Sequence, residues 1–267
     1  MNENNEFSAW NKVKLARLLE RPKADEYIYN ILDDFIEFHG DRCFGDDKSI
    51  IAGIGVLNDI KVTVIGQLKG KTLEENIVRN FGMTKPEGFR KALRLMKQAE
   101  KFNRPIICFV DTPGAFCDID AEKRGQGEAI ARNLIEIMGI KVPIVSVVIG
   151  EGGSGGALAL SIADKIFMLE NSIYSVISPE GFASILWKDI KRIKEAAEVM
   201  KITANDLYGF NIIDTVVKEP LGGAQNSKKN IFKEVKNLLV SAFDELCIID
   251  KEQLLKSRYE KYRIVGK

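Results

Sequence analysis

The chain has 267 residues, 45% of them hydrophobic and 29% charged, with a formal net charge of +1. That is an ordinary globular composition, long enough for one large domain or two small ones, and it excludes the global basic field of a nucleic-acid binder. The four cysteines, Cys43, Cys108, Cys117 and Cys247, lack CxxC spacing; this argues against a zinc site or a disulfide frame and for reduced thiols, and with no membrane-length apolar run it places the protein in the cytoplasm.

Residues 8–20 read as a helix capped by Ser8, with Trp10, Val13, Leu15 and Leu18 partly on one face. Arg21-Pro22 interrupts it. A second helix is predicted over 24–38, carrying Tyr27, Ile28, Ile31, Leu32, Phe35 and Phe38, and stopping at Gly40 with His39 as a capping residue. Alternating apolar residues over 50–56 and 60–67, joined by Asn58-Asp59, predict a β-hairpin. The basic, glycine-punctuated stretch 69–82 either holds a phosphate or is solvated, and solvation is the commoner fate of isolated basic loops. Residues 87–102 form an amphipathic helix, with Phe89, Ala92, Leu93, Met96 and Ala99 inward and Arg90, Lys91, Arg94, Lys97 and Lys101 outward.

The run 105–111 is apolar almost throughout, as expected of a strand buried on both faces. It breaks at Thr112-Pro113-Gly114-Ala115, a helix follows over 121–138, and the strand at 143–149 repeats the pattern. If the sheet is parallel, both glycine turns fall on one edge and face one pocket, with Arg124, Gln126 and Glu128 either near its mouth or on a solvated helix face.

That second strand leads into Gly150-Glu151-Gly152-Gly153-Ser154-Gly155-Gly156, where five glycines fall within seven residues. Such a turn brings main-chain N–H groups close to an anion, because glycine leaves no Cβ in the way and the first helical turn has unpaired donors. Gly150-x-Gly152-x-x-Gly155, with Glu170 downstream, matches a dinucleotide fingerprint, but 164–169 already looks like the next strand and leaves too short a helix. Gly152-x-Ser154-x-Gly156 matches a nucleophile elbow, which needs a histidine after the serine, and the only histidine is His39. A P-loop needs lysine followed by serine or threonine where Ala157 stands. Two readings stay open: an oxyanion-binding turn, and glycines that let a helix pack closely on a sheet.

Short strands at 165–170 and 173–177 come next, then a helix capped by Ser178 with Pro179 in its first turn, helical patterns at 190–200 and 204–208, and a strand at 212–217. A loop at 220–224 precedes a helix at 229–246, and the chain finishes in a basic tail at 256–263. Repeated two-strand-plus-helix units favour a spiral of ββα turns over a doubly wound sheet.

Several stretches carry a family resemblance: Asn80-Phe81-Gly82-Met83, Arg90-Lys91-Ala92-Leu93, Asp111-Thr112-Pro113-Gly114-Ala115, Arg124-Gly125-Gln126, the central glycine turn, Tyr174-Ser175-Val176-Ile177-Ser178-Pro179-Glu180-Gly181 and Glu219-Pro220-Leu221-Gly222-Gly223-Ala224. Together, and in this order from Trp10 onward, they resemble the carboxyltransferase alpha subunit of bacterial acetyl-CoA carboxylase.

The resemblance implies an α/β fold of crotonase (ClpP/crotonase-like) type with flanking helices. Residues 1–267 would form a single domain, with a helical hairpin over 1–40, the core over 41–225 and a helical segment over 226–267. It further implies transfer of a carboxyl group to acetyl-CoA from carboxybiotin on a separate biotin carboxyl carrier protein, giving malonyl-CoA for fatty-acid synthesis. The implied partners are a beta subunit in an α2β2 assembly, the carrier protein and biotin carboxylase, with zinc on the beta chain and no metal, membrane or nucleic acid bound here. By the same resemblance Gly155 and Gly156 supply amides to the biotin oxygen, and Gly152, Gly153, Gly114 and Ala115 line the site. Two departures from the family pattern stand out: few residues precede Trp10, and Phe116-Cys117-Asp118 replaces the usual Tyr-Pro-Gly. A stand-alone enoyl-CoA hydratase or isomerase, with Glu151 as base, is the alternative enzyme; a scaffold subunit without catalysis is the other.

Overall fold

The computed structural model describes residues 8–266. Ser8 accepts from the Asn11 N–H and caps α1 (Ala9–Ala16). The second helix, α2 (Ala24–Ile31), stops seven residues short of the expected end at residue 38 and gives way to a strand, β1 (Asp33–Glu37). The physical reason lies at Leu32 and Asp34: Leu32 is extended, Asp34 takes a left-handed φ of 50°, and the chain then pairs antiparallel with β2 (Ile50–Leu57). Gly53 permits that pairing, since a Cβ there would lie 2.0 Å from the Ile36 carbonyl oxygen. His39 therefore follows a strand, not a helix.

The hairpin forms as the alternation requires, β2 running antiparallel to β3 (Ile60–Gln67) around Asn58. After α3 (Leu73–Val78) the long helix α4 (Pro86–Lys101) leads into β4 (Ile106–Thr112), parallel to β3 and buried at every residue. The helices α5 (Ile119–Lys123) and α6 (Gln126–Met138) cross over to β5 (Ile144–Gly153), parallel to β4. Then come α7 (Ser154–Ser161), β6 (Lys165–Leu169), β7 (Ile173–Ser175), α8 (Pro179–Phe182), α9 (Ile193–Val199), α10 (Ala204–Gly209), β8 (Thr215–Val217), α11 (Lys228–Leu246) and α12 (Lys251–Ile264).

The sheet runs β1-β2-β3-β4-β5-β6-β8. β5 changes neighbour along its length: Val145–Val148 pair with β6, while Glu151, Gly152 and Gly153 pair with β7. Alternate strand residues feed two cores. Ile107, Phe109, Val145 and Val147 pack with Tyr27, Phe232 and Leu239 under α2 and α11, whereas Ile106, Cys108, Val110 and Val148 pack with Met96, Ile137 and Leu160 under α4, α6 and α7.

Two cations, one read as facing outward on its helix and one as part of a basic tail, are interior. Lys91 is fully buried, its ammonium bound to Asp46 and to the Asp47 and Ile50 carbonyls, because the 46–50 segment folds over that face of α4. The expected basic tail is helix α12, and its Arg258 is buried against Asp164.

Candidate functional site

β4 and β5 end side by side, so the two glycine turns expected on one edge meet there. A Cβ on Gly153 would lie 2.2 Å from the Pro113 carbonyl oxygen, and one on Gly156 would lie 2.5 Å from the Ala115 nitrogen. Gly152 is held as closely by the Tyr174 ring, at 2.6 Å. At these three positions the close-packing account of the glycines is sufficient. Gly155 differs, because a Cβ there meets only Ile130 Cγ2, at an ordinary 3.5 Å.

The elbow is sharp. β5 continues through Gly153, and α7 begins at once with Ser154 in a left-handed conformation, φ 54°. No side chain caps the helix start. The N–H groups of Ser154, Gly155 and Gly156 occupy the first turn, where an α-helix has no internal acceptor for its donors and carries partial positive charge. The Gly156 carbonyl receives an additional hydrogen bond from Gln67 Nε2 at 2.8 Å.

Ser154 and Gly155 open onto a cavity of about 520 Å³ walled largely by apolar side chains, among them Leu158, Tyr174, Val176, Ile177, Phe182 and Phe210. Gly114, Ala115, Gly152, Gly153 and the buried Gly156 are not in its wall. Gly114 and Ala115 lie against the turn itself, where Gly153 and Gly156 approach the Pro113–Ala115 main chain. Thr112 fixes their loop by accepting from the Gly114 N–H at 3.1 Å, and Thr84 bridges to Ala115 as a parallel pair.

Below the elbow lies a group of charges that periodicity did not reveal. Lys69, in the stretch expected to be solvated, places its ammonium 2.7 Å from Asp111 and 2.8 Å from Glu151. Burial alone would pull this ammonium down, but the two carboxylates outweigh it and hold Lys69 above the ordinary lysine value. Glu151 also meets Arg17 at 2.7 Å; burial would raise its carboxyl, and the two cations hold it below the usual glutamate range instead. A carboxylate engaged in this way does not serve as a general base, which removes the ground for the hydratase reading.

The remaining candidates scatter. Arg124 pairs with Glu87 at 3.2 Å, while Gln126 is buried and donates to the Thr84 and Phe116 carbonyls. Glu128 is exposed. His39 sits 3.1 Å from Asp46, so the elbow serine has no histidine from this chain beside it. Among the described residues, no group of three or more His, Cys, Asp or Glu side chains converges as metal ligands would.

The sequence matches the family described as "Acetyl co-enzyme A carboxylase carboxyltransferase-like" across residues 2–266. It is 65% identical over 255 residues to the acetyl-coenzyme A carboxylase carboxyl transferase subunit alpha of Clostridium perfringens, covering 96% of this chain and 94% of that one. A Clostridium tetani protein named as subunits beta/alpha of the same enzyme is 57% identical over 262 residues, covering 98% of this chain and 46% of that one. Among solved structures, a transcarboxylase 12S with methylmalonyl-coenzyme A bound superposes with a TM-score of 0.70 at 17% identity, over 92% of this chain and 46% of that one.

Proposed function

Because this chain belongs to the alpha-subunit family of the acetyl-CoA carboxylase carboxyltransferase, we propose that its part in carboxyl transfer is done by main-chain amides at the start of α7. The fold is of the crotonase type, and the reaction passes a carboxyl group from a biotin-linked donor to acetyl-CoA. As the bond between the biotin N1 and the carboxyl carbon breaks, negative charge grows on the ureido oxygen; the methyl of acetyl-CoA loses a proton to the biotin nitrogen and gains the carboxyl carbon. The charge needs donors that are already aimed, since an amide fixed in place costs no reorganisation at the moment of reaction.

The observation that carries the reading is the pairing of Gly155 with the cavity. Gly155 is the glycine of the turn that packing does not require, and it stands in the wall of a space whose apolar sides suit the biotin ring and its aliphatic arm. Its amide and that of Gly156 would hold the ureido oxygen, with Gly152, Gly153, Gly114 and Ala115 fixing the turn behind them. The enolate oxygen of acetyl-CoA would be held by the beta partner, a subunit joined in one chain to the alpha sequence in the Clostridium tetani relative.

The finer assembly is part of the proposal: an α2β2 complex in the cytoplasm, zinc carried by the beta chain, and biotin delivered by a separate carrier protein that biotin carboxylase has loaded with carboxylate. The purified chain is expected to be inactive alone, and with its beta partner to catalyse malonyl-CoA-dependent carboxylation of biocytin. Within that complex Gly155→Pro, which deletes one amide donor, should lower kcat about 100- to 1,000-fold, the usual loss of one oxyanion donor. Gly155→Ala, which keeps the donor, should stay within about twofold. Normal turnover in Gly155→Pro would refute the amide assignment.

A further inference from the structure

We propose that Lys69 is a positioning residue for the carboxyl transfer: its ammonium fastens the ends of β4 and β5 to each other and thereby fixes the direction of the Gly155 and Gly156 amides. The inference rests on the amide reading above and goes one layer beneath it.

The geometry is a three-way junction. Asp111 is the penultimate residue of β4 and Glu151 lies two residues before the end of β5. Lys69 bridges the two carboxylates, at 2.7 and 2.8 Å, and Asp111 Oδ1 also accepts from the Glu151 main-chain N–H at 3.0 Å. Asp111 leads directly into Thr112-Pro113-Gly114-Ala115, and Glu151 leads directly into Gly152–Gly156, so both turns of the site hang from this junction. Gly150 is shaped for it, because a Cβ there would lie 2.4 Å from Asp111 Oδ1.

The approach of Lys69 is equally constrained. It follows Gln67, the last residue of β3, whose amide holds the Gly156 carbonyl. The end of one strand thus supplies two tethers to the elbow, one to the first turn of α7 and one to the strand ends beneath it. Gly82, which lies against the Lys69 stem, ends Asn80-Phe81-Gly82, three successive residues with φ of 51°, 55° and 79°. A Cβ on Gly82 would lie 2.6 Å from Lys69 Cγ. A phenylalanine with positive φ is rare, and such outliers persist where the surroundings over-determine them.

Lys69 does not touch the reacting atoms. Its ammonium is spent on the two carboxylates and it is absent from the cavity wall. Its role is charge balance and aim. Without it, Asp111 and Glu151 face each other with Arg17 as the cation still paired to Glu151, and like-charge repulsion spreads the two strand ends.

The test uses the assembled complex of this chain with its beta partner and free biocytin as acceptor. Lys69→Met should lower kcat on the order of 100-fold, as small misplacements of a reacting centre do, with KM for malonyl-CoA unchanged and assembly intact. Adding Glu151→Gln restores the charge balance and should recover at least tenfold of that loss; the split of lowered kcat at constant KM, with assembly intact, is what a merely structural lysine would not give. A Lys69→Met complex within twofold of the parent kcat overturns the proposal, as does a loss that Glu151→Gln leaves untouched. If Lys69→Met does not assemble, Asp111→Asn keeps the shape and removes one charge: a lowered kcat at constant KM supports the proposal, and an unchanged kcat overturns it. Gly155→Pro, measured alongside, separates the two layers. Full activity there defeats the amide reading, whereas a dead Gly155→Pro beside a normal Lys69→Met defeats the positioning role alone.

Discussion

The two ends of strand β5 each hold a buried charge cluster, and the clusters are built differently. At the start of the strand Arg258 pairs with Asp164 through Nε at 2.8 Å and Nη2 at 2.7 Å, and its remaining donors reach the Ile137, Ile140 and Val142 carbonyls. Asp164 in turn accepts from the Ile144 N–H at 2.7 Å. Every guanidinium hydrogen has a partner, and the cluster joins α12, the end of α6 and the first residue of β5. At the other end Lys69, Asp111, Glu151 and Arg17 join the strand ends from which both glycine turns hang, and Arg17 reaches out to Glu180 at 2.6 Å. The first cluster closes the fold, and the second aims the site. The same chemistry serves stability or function according to what hangs from it.

Breaking the first cluster should give the largest stability effect. Arg258→Met strands the Asp164 carboxylate in the interior, and removing one partner of a buried pair costs about 3–5 kcal/mol. Denaturant unfolding should register that loss, while turnover per folded complex stays within about twofold. A variant that kept its stability and lost turnover would erase the distinction between the two ends.

The next contrast lies within the elbow. Gly156→Ala forces a methyl to 2.5 Å from the Ala115 nitrogen, a contact with main chain that cannot swing aside. Overpacking of this kind costs roughly 1–3 kcal/mol, read as a lower unfolding midpoint and lower turnover together. Gly155→Ala should do neither. Equal behaviour of the two alanines would mean that close approach to the Ala115 main chain is not what requires glycine at 156.

A third comparison concerns a carboxylate outside both clusters. Burial would raise Asp41, but the Cys43, Phe44 and Gly45 N–H groups and the Arg90 guanidinium bind its charged form and push it down to about 2. A depressed folded value means stability that is present above the unfolded value near 4 and lost as pH falls through about 2. Asp41→Asn should therefore be less stable than the parent at pH 7, with the gap narrowing as pH drops below 4. A gap constant with pH would mean that the carboxylate charge contributes nothing.

Much of this was legible in the sequence, for reasons that can be named. The β2–β3 hairpin, α4 and β4 announce themselves because their periodicity is decided by burial of whole faces, and the glycine turns because few residues other than glycine tolerate such approach. The 24–38 stretch misled because Tyr27, Ile28 and Ile31 continue into Phe35 and Phe38 at helical spacing, while the event that ended the helix, a left-handed Asp34 beside a strand in need of an edge partner, is tertiary. Lys69, Lys91 and Arg258 were hidden for a common reason. A cation reads as solvated until the fold delivers carboxylates and carbonyls to it, and those lie 41 and 44 residues away for Lys91 and 94 for Arg258.

The smallest effect is the most informative about mechanism. Ser154 lies one residue before Gly155, at φ 54° with its side chain exposed, in the position a nucleophilic serine would hold. Alanine tolerates the left-handed region no better than serine does, so Ser154→Ala removes the hydroxyl and leaves the elbow otherwise as it was. Turnover of biocytin carboxylation should stay within about twofold, because an amide donor does not depend on the side chain beside it. Ser154→Gly removes the side-chain penalty of a positive φ as well, and should raise the unfolding free energy by no more than about 1 kcal/mol, since glycine also gains freedom in the unfolded chain. Were Ser154→Ala to abolish turnover while Gly155→Pro did not, the chemistry would belong to the hydroxyl and not to the main chain.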